Sequence, residues 1–149
     1  QRNVIFPLDN RHFITELKNL YTSEEWIKER DSIIKQINSD WFLCAIYAEE
    51  NLYKQLLDSI INSNDKHLLC QYTHLLKDEY PEQLLRMYRV AVEKEAEHAS
   101  NRTYYRQLVG DLRVMKSISG GDKVVDEIIK KWKTQYKNRT AMMDELSRI

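Results

Sequence analysis

The sequence predicts an all-α protein of about nine antiparallel helices, and three observations support that prediction. Apolar residues recur every three to four positions in segment after segment, which is the period of an amphipathic helix. Glycine (3) and proline (2) are scarce among 149 residues, too scarce for the many turns of a β-sandwich or barrel. The joints between segments are short and polar, roughly 2–6 residues long, a length that makes neighbouring helices antiparallel.

Four helices are expected in the first half of the chain. After a break at Pro7, the first apolar stripe begins. Thr22 and Glu25 form a capping box before the second stripe, and Asp40 is a candidate N-cap for a segment that is apolar nearly all round and therefore buried on most sides. The four stripes are Phe13, Ile14, Leu17 and Leu20; Trp26, Ile27, Ile33, Ile34 and Ile37; Trp41 to Ala48; and Leu52, Leu56, Leu57, Ile60 and Ile61.

Five more helices are expected in the second half. Pro81 suits the first turn of a helix, where its missing N–H costs nothing, and Ser100 or Asn101 is the N-cap of the next one. Gly120-Gly121 is expected to end that helix, because glycine tolerates the left-handed conformation, and Thr140 to cap a short terminal helix. The stripes are Leu68, Leu69, Tyr72, Leu75 and Leu76; Leu84, Leu85, Tyr88, Val92, Ala96 and Ala99; Tyr105, Leu108, Val109, Leu112 and Met115; and Val124, Val125, Ile128, Ile129, Trp132 and Tyr136.

The expected architecture is an α-solenoid of degenerate TPR- or HEAT-like helix pairs, each pair roughly 30–40 residues long. A closed bundle is the alternative. No strict sequence period is visible. Residues 1–149 are interpreted as a single all-helical domain, a fragment of a longer protein.

The charge pattern leaves two interpretations open. Lys+Arg and Asp+Glu are both 23, so no net field draws the chain to nucleic acid. Basic residues nevertheless cluster from residue 102 onward, while residues 40–65 are acidic. This clustering is typical either of ordinary solvated helix faces or of a basic surface for a nucleic acid or an acidic partner. The residues of the candidate basic surface are Arg102, Arg106, Arg113, Lys116, Lys130, Lys131 and Lys133.

Metal-binding and catalytic patterns are weak. His67, Cys70 and His74 share one helical face, but i and i+7 lie about 10.5 Å apart, so Cys70 is expected in the core with the histidines beside it. Glu95 and His98 form one Glu-x-x-His, whereas a di-metal bundle site needs two. The sequence contains no HExxH, phosphate loop or nucleophile elbow. We therefore expect no catalytic, cofactor-binding or metal-ligating residues and no enzyme activity.

The cysteines and the hydropathy indicate a compartment. Cys44 and Cys70 both fall in apolar periodic segments, so we expect buried thiols in a reducing, cytoplasmic environment. No run of about 18 apolar residues occurs, and no membrane partner is expected. The two N-x-T sequons, at 101–103 and 138–140, are interpreted as incidental.

The order of packing residues in the second half resembles a known family. The pattern is Leu68-x3-Tyr72-x2-Leu75-Leu76, Glu79-Tyr80-Pro81, Tyr88, Ala99-Ser100-Asn101-Arg102-x2-Tyr105, Leu112, Met115-Lys116, Gly120-Gly121 and Arg139-Thr140-Ala141-x2-Asp144-Glu145-Leu146. It is similar to the C-terminal helical region of bacterial SWIM zinc-finger proteins and of related uncharacterised α-helical repeat proteins. The zinc-chelating C-x-C and C-x-H of that family are absent, so the resemblance implies that a zinc module lies upstream.

The function expected from the sequence is a non-catalytic helical-repeat scaffold that contacts another protein or a neighbouring domain of the same chain. The alternative is a nucleic-acid-associated module that uses the basic surface around Arg102 to Arg139. Within the repeat, we expect Arg102 to satisfy carbonyls at the end of the preceding helix, and Asp144 and Glu145 to pair with such a basic group.

Overall fold

The computed structural model describes residues 10–149, and within that range it contains nine α-helices and no strand. The predicted all-α class is therefore confirmed, while the break at Pro7 lies outside the described residues. None of these helices has the length and hydropathy that a membrane span requires. The helices are α1 (Asn10–Lys18), α2 (Ser23–Gln36), α3 (Asp40–Glu49), α4 (Tyr53–Ser63), α5 (Lys66–Leu76), α6 (Pro81–His98), α7 (Arg102–Lys116), α8 (Gly121–Gln135) and α9 (Thr140–Leu146).

Three predicted helix starts are confirmed. The Thr22 hydroxyl accepts a hydrogen bond from the backbone N–H of Glu25 at 3.2 Å. Pro81 occupies the first turn of α6. The Asn101 side-chain oxygen accepts from the N–H of Tyr104 at 3.1 Å, so Asn101 is the N-cap of α7. Each side-chain cap satisfies a backbone donor that the helix itself leaves without a partner.

Other helix ends differ from the prediction. Ser39, and not Asp40, caps α3, since the Ser39 hydroxyl accepts from the N–H of Phe42 at 3.4 Å. The N-cap of α9 is Arg139, and Thr140 is the first helical residue. In both cases the expected capping residue lies one position inside the helix.

The glycine pair begins α8 and does not end α7, which already stops at Lys116. Gly120 is the N-cap of α8 with φ of +84°. At Gly121 an added Cβ would lie 1.7 Å from the carbonyl oxygen of Met115. The two glycines therefore permit a tight turn in which the start of α8 approaches the backbone at the end of α7.

Several residues predicted on buried stripes are exposed. Leu20 lies beyond the end of α1 and is 77% exposed, and Ile27 in α2 is 49% exposed. Cys70 is also exposed, whereas Cys44 is buried. The prediction for Cys70 was wrong because the buried face of α5 consists of other residues: Leu68, Leu69, Tyr72, Thr73 and Leu76.

The chain divides into two compact units, Gln1–Leu68 and Leu69–Ile149. In the first, α3 packs on α1 and on α4. The Phe13 and Phe42 rings are 6.1 Å apart near the starts of α1 and α3, and Lys18 reaches Glu50 at their ends. Arg11 and Thr15 of α1 also reach Glu49 at the end of α3, at 3.3 and 2.9 Å. The described core includes Ile14, Trp26, Phe42, Ala45 and Ile46.

In Leu69–Ile149, the four helices from α6 onward pack around α7. The contacts join α6 to α7, α7 to α8, α6 to α8, and α7 to α9. Arg89 pairs with Glu127 at 2.9 Å and Glu93 with Lys131 at 3.6 Å, each across 38 residues. In both pairs the α8 residue comes 38 positions after its α6 partner, so the contacts advance along both helices in the same direction. Helices α6 and α8 are therefore parallel. Helix α9, in turn, packs on α7.

Candidate functional site

Two arginines of the predicted basic surface meet one buried carboxylate. Arg102 donates to Glu145 at 2.9 Å and to Asp144 at 2.6 Å, and Arg106 donates to Glu145 at 3.2 Å. The Glu145 side chain is only 5% exposed. The predicted pairing of Asp144 and Glu145, here called the α9 acid pair, with a basic group is therefore confirmed, and it joins α7 to α9.

The arginines hold the acid pair in its charged form. Burial by itself would raise the pKa of Glu145, but hydrogen bonds from Arg102 and Arg106 and the nearby charge of Arg148 lower it below its usual range. The hydrogen bond from Arg102, followed by the charge of Arg148, lowers the pKa of Asp144. At neutral pH these carboxylates neutralise the two arginines of the predicted surface.

The other five residues of that surface do not form one patch. Lys131 pairs with Glu93 at 3.6 Å, and Arg113 donates to the backbone oxygen of Arg148 at 3.0 Å. The remaining three are exposed and have no ion-pair partner within residues 10–149: Lys116, Lys130 and Lys133. Lys116 ends α7, whereas Lys130 and Lys133 belong to the second half of α8. The uncompensated charge is therefore scattered along two helices.

Arg139 has the role that was expected of Arg102. Its Nη1 donates to the carbonyl of Ala96 at 2.6 Å and to that of Ala99 at 3.4 Å, at the end of α6. Its guanidinium carbon also lies 4.0 Å from the centroid of the Tyr136 ring, a cation–π contact. Arg139 thereby fixes the start of α9 to the end of α6.

The tripeptide Asn-Arg-Thr occurs twice, at 101–103 and at 138–140, near the starts of α7 and α9. The two copies differ in register, because Asn101 is the N-cap of α7 whereas Arg139 is the N-cap of α9. Their arginines also make different contacts: Arg102 reaches α9, and Arg139 reaches the end of α6. The repeated tripeptide therefore does not indicate the role of Arg139.

A second acid pair ends α3. Glu50 accepts hydrogen bonds from Lys18 at 2.8 Å, from Arg30 at 3.3 Å and from the Trp26 indole. Its side chain is 5% exposed; burial opposes its ionisation, but the hydrogen bonds from Lys18 and Trp26 lower its pKa. Glu49 next to it accepts from Thr15 at 2.9 Å. The sequence indicated only a polar joint here.

An open groove lies between the parallel helices α6 and α8. Its volume is about 490 Å³, within the roughly 300–1,000 Å³ typical of ligand sites. Its apolar lining consists of Pro81, Leu85 and Val124, and Arg86 and Arg89 lie on the α6 side. The turn at Ser119 and Gly120 closes one end. No sequence pattern indicates this groove, because it depends on the register of two helices that are distant in sequence.

The metal candidates and the buried thiol offer little reactive chemistry. No group of three or more His, Cys, Asp or Glu side chains is placed to hold a metal ion in the part of the chain that the structure describes. Burial raises the pKa of Cys44 to about 11, so this thiol is protonated at neutral pH. A protonated thiol is a poor nucleophile.

The fold and the contacts above define an all-α protein in which ion pairs join α6 to α8 and α7 to α9. Comparison of the chain with protein-family models, with curated proteins and with solved structures finds no match.

Proposed function

We propose that the chain is a non-catalytic helical-repeat scaffold that binds another protein or a neighbouring domain. The observation that supports this proposal is the constant 38-residue offset of the Arg89–Glu127 and Glu93–Lys131 ion pairs. The offset makes α6 and α8 parallel, and parallel alternate helices are what stacked helix pairs require. Such arrays present extended binding surfaces without needing a reactive centre.

The resemblance to the helical region of SWIM zinc-finger proteins belongs to the same proposal. The residues on which it rests include Arg102, Arg139 and the α9 acid pair, and these make contacts between successive helix pairs. The Tyr105 hydroxyl, another residue of the pattern, donates to the carbonyl of Ala99 at 3.3 Å and so joins α7 to the end of α6. That residues 1–149 act as one cytoplasmic domain of a longer bacterial protein with a zinc module stays a prediction.

The charge distribution favours a protein partner over nucleic acid. A nucleic-acid surface needs cations that are free to replace counterions along the phosphate backbone. Of the predicted surface, Arg102 and Arg106 are neutralised by Glu145, and Lys131 is paired with Glu93. The four other residues of the predicted surface, which are scattered, remain for the nucleic-acid alternative: Arg113, Lys116, Lys130 and Lys133.

Site-specific photo-crosslinking tests the scaffold. A photoreactive amino acid is placed at exposed positions of α6, α7 and α8, one at a time, and the chain is expressed in its source cell. We expect one protein to crosslink from a contiguous set of positions. The purified partner should then bind the purified chain by calorimetry. A lack of any position-dependent adduct would count against the scaffold.

A salt titration tests the alternative. Binding of fluorescent 20-nucleotide single- and double-stranded DNA and RNA is measured from about 50 to 300 mM salt, since phosphate contacts impose a steep dependence on salt. We expect no binding at about 50 mM salt. Binding that weakens steeply with salt and is lost in the double variant Lys130→Glu/Lys133→Glu would replace the scaffold with the nucleic-acid function.

A further inference from the structure

The groove between α6 and α8 combines an apolar floor with one uncommitted cation. Leu85, which is buried, and Val124, which is half-buried, supply apolar lining from α6 and from α8. Arg86 lies at its rim, is exposed, and has no ion-pair partner among residues 10–149. Arg89, by contrast, is held by Glu93 at 3.3 Å and Glu127 at 2.9 Å.

This combination restricts the chemistry of an occupant. An arginine beside an apolar surface binds a carboxylate through paired hydrogen bonds, and it does so more strongly where water is partly excluded. Glu82, one turn before Arg86, also lines the groove. With Glu82 negatively charged and Arg89 paired with Glu93 and Glu127, Arg86 is the cation of the lining that an anionic ligand could reach. A ligand with a single carboxylate next to an apolar side chain is complementary to this arrangement.

The groove walls are fixed before any ligand arrives. Arg89–Glu127, at the groove itself, and Glu93–Lys131, one turn further along α6, hold α6 beside α8. At its end, Gly121 is in backbone contact with the end of α7. A preformed groove loses little conformational freedom on binding, so that modest contacts suffice for measurable affinity.

We propose that this groove binds an acidic–apolar peptide segment of a protein partner. An apolar side chain of the peptide packs on Leu85 and Val124, and a neighbouring Asp or Glu carboxylate accepts hydrogen bonds from the Arg86 guanidinium. This inference rests on the proposed scaffold function and specifies the surface and the partner chemistry that the scaffold uses.

A positional-scanning peptide library tests the proposal. The probes are fluorescein-labelled eight-residue peptide pools in which one position at a time is fixed as Glu, Leu or Lys, and binding is measured by fluorescence anisotropy to the full chain. We expect pools with fixed Glu or Leu to bind more tightly than pools with fixed Lys. We expect Arg86→Glu to weaken the Glu pools by about tenfold or more, the effect of losing one charge-assisted pair, and to favour the Lys pools.

Lys94→Glu is the matched control. Lys94 is also exposed on α6, outside the groove lining, and the substitution changes the net charge by the same amount. Val124→Gln, which removes apolar surface at a half-buried position, should weaken the Leu pools. Far-UV circular dichroism and Tm establish that each variant is folded.

The outcomes distinguish a failure of the groove proposal from a failure of the scaffold proposal. Equal effects of Arg86→Glu and Lys94→Glu, or a wild-type preference for Lys pools, would overturn the groove proposal. So would the absence of binding to any pool. In each of these cases a position-dependent crosslink from other faces would leave the scaffold function standing, whereas loss of all crosslinks would remove both.

Discussion

Arg139 provides the sharpest test of how successive helix pairs are held together. Its Nη1 lies 2.6 Å from the Ala96 carbonyl, a charge-assisted hydrogen bond worth about 1.5–3 kcal/mol. The 3.4 Å contact to Ala99 is near the limit of hydrogen-bond length and adds little. The stacking on Tyr136 adds about 0.5–1 kcal/mol at a partly exposed site. Arg139→Ala should therefore lower the free energy of unfolding by about 2–4 kcal/mol.

The assay is urea unfolding followed by far-UV circular dichroism. With a slope of about 2 kcal/mol/M, the midpoint should fall by about 1–2 M. Arg139→Lys keeps the charge but loses the planar contact with Tyr136, and should be intermediate. A double-mutant cycle with Tyr136→Leu isolates the cation–π contribution.

Lys137→Ala is the control for Arg139, since Lys137 is an exposed cation of the same loop with no ion-pair partner among residues 10–149. Its effect should stay within about 0.5 kcal/mol. If Arg139→Ala differed from Lys137→Ala by less than that amount, the contact between α6 and the start of α9 would contribute nothing to stability, and the reasoning would be refuted.

Two further predictions concern the turn and the acid pair. Gly121→Ala places a Cβ 1.7 Å from the Met115 carbonyl oxygen and should lower the free energy of unfolding in urea by about 3 kcal/mol or more. Gly110→Ala is the control: it lies in mid-helix α7 with nothing within 4 Å of the added Cβ, and should raise the free energy of unfolding by about 0.5–1 kcal/mol. Equal effects of the two substitutions would contradict the tight turn. The pKa values of the α9 acid pair are lower in the folded state than in the unfolded state. The ionised pair therefore stabilises the folded chain fully at pH values above the unfolded pKa values of about 4. This stabilisation is lost as the pH falls through the lower pKa values of the folded state. Tm measured from pH 7 to pH 2 should fall in that acid range. Arg102→Ala should lower Tm at pH 7 and make the decrease in Tm between neutral and acid pH smaller. If the decrease in Tm were the same in Arg102→Ala and in the unsubstituted chain, the role of the pair would be contradicted.

The sequence predicted the features that depend on a few adjacent residues. Thr22, Pro81 and Asn101 mark helix starts because capping needs only the backbone donors within one turn. The all-α class follows from a period that every segment repeats. Even locally, a neighbouring residue can supply the cap, which is why Ser39 and not Asp40 caps α3.

Features that depend on distant packing were predicted incompletely. Cys70 lies in an apolar segment, and only the partners of α5 decide which face is buried. The contact of Arg102 with the α9 acid pair could be predicted because both are charged and near helix ends, but the carbonyls expected to bind Arg102 bind Arg139 instead. The α6–α8 groove required the register of two helices about 40 residues apart in sequence, which no local pattern contains.

The separation in sequence between Arg139 and Ala96 has a consequence for biosynthesis. The two residues are 43 positions apart, as are Arg102 and Glu145, and no polar contact described in Leu69–Ile149 joins residues further apart. The end of α6 therefore gains its arginine partner only after the ribosome has translated most of this unit. We expect α6 and α7 to associate first and α9 to dock last.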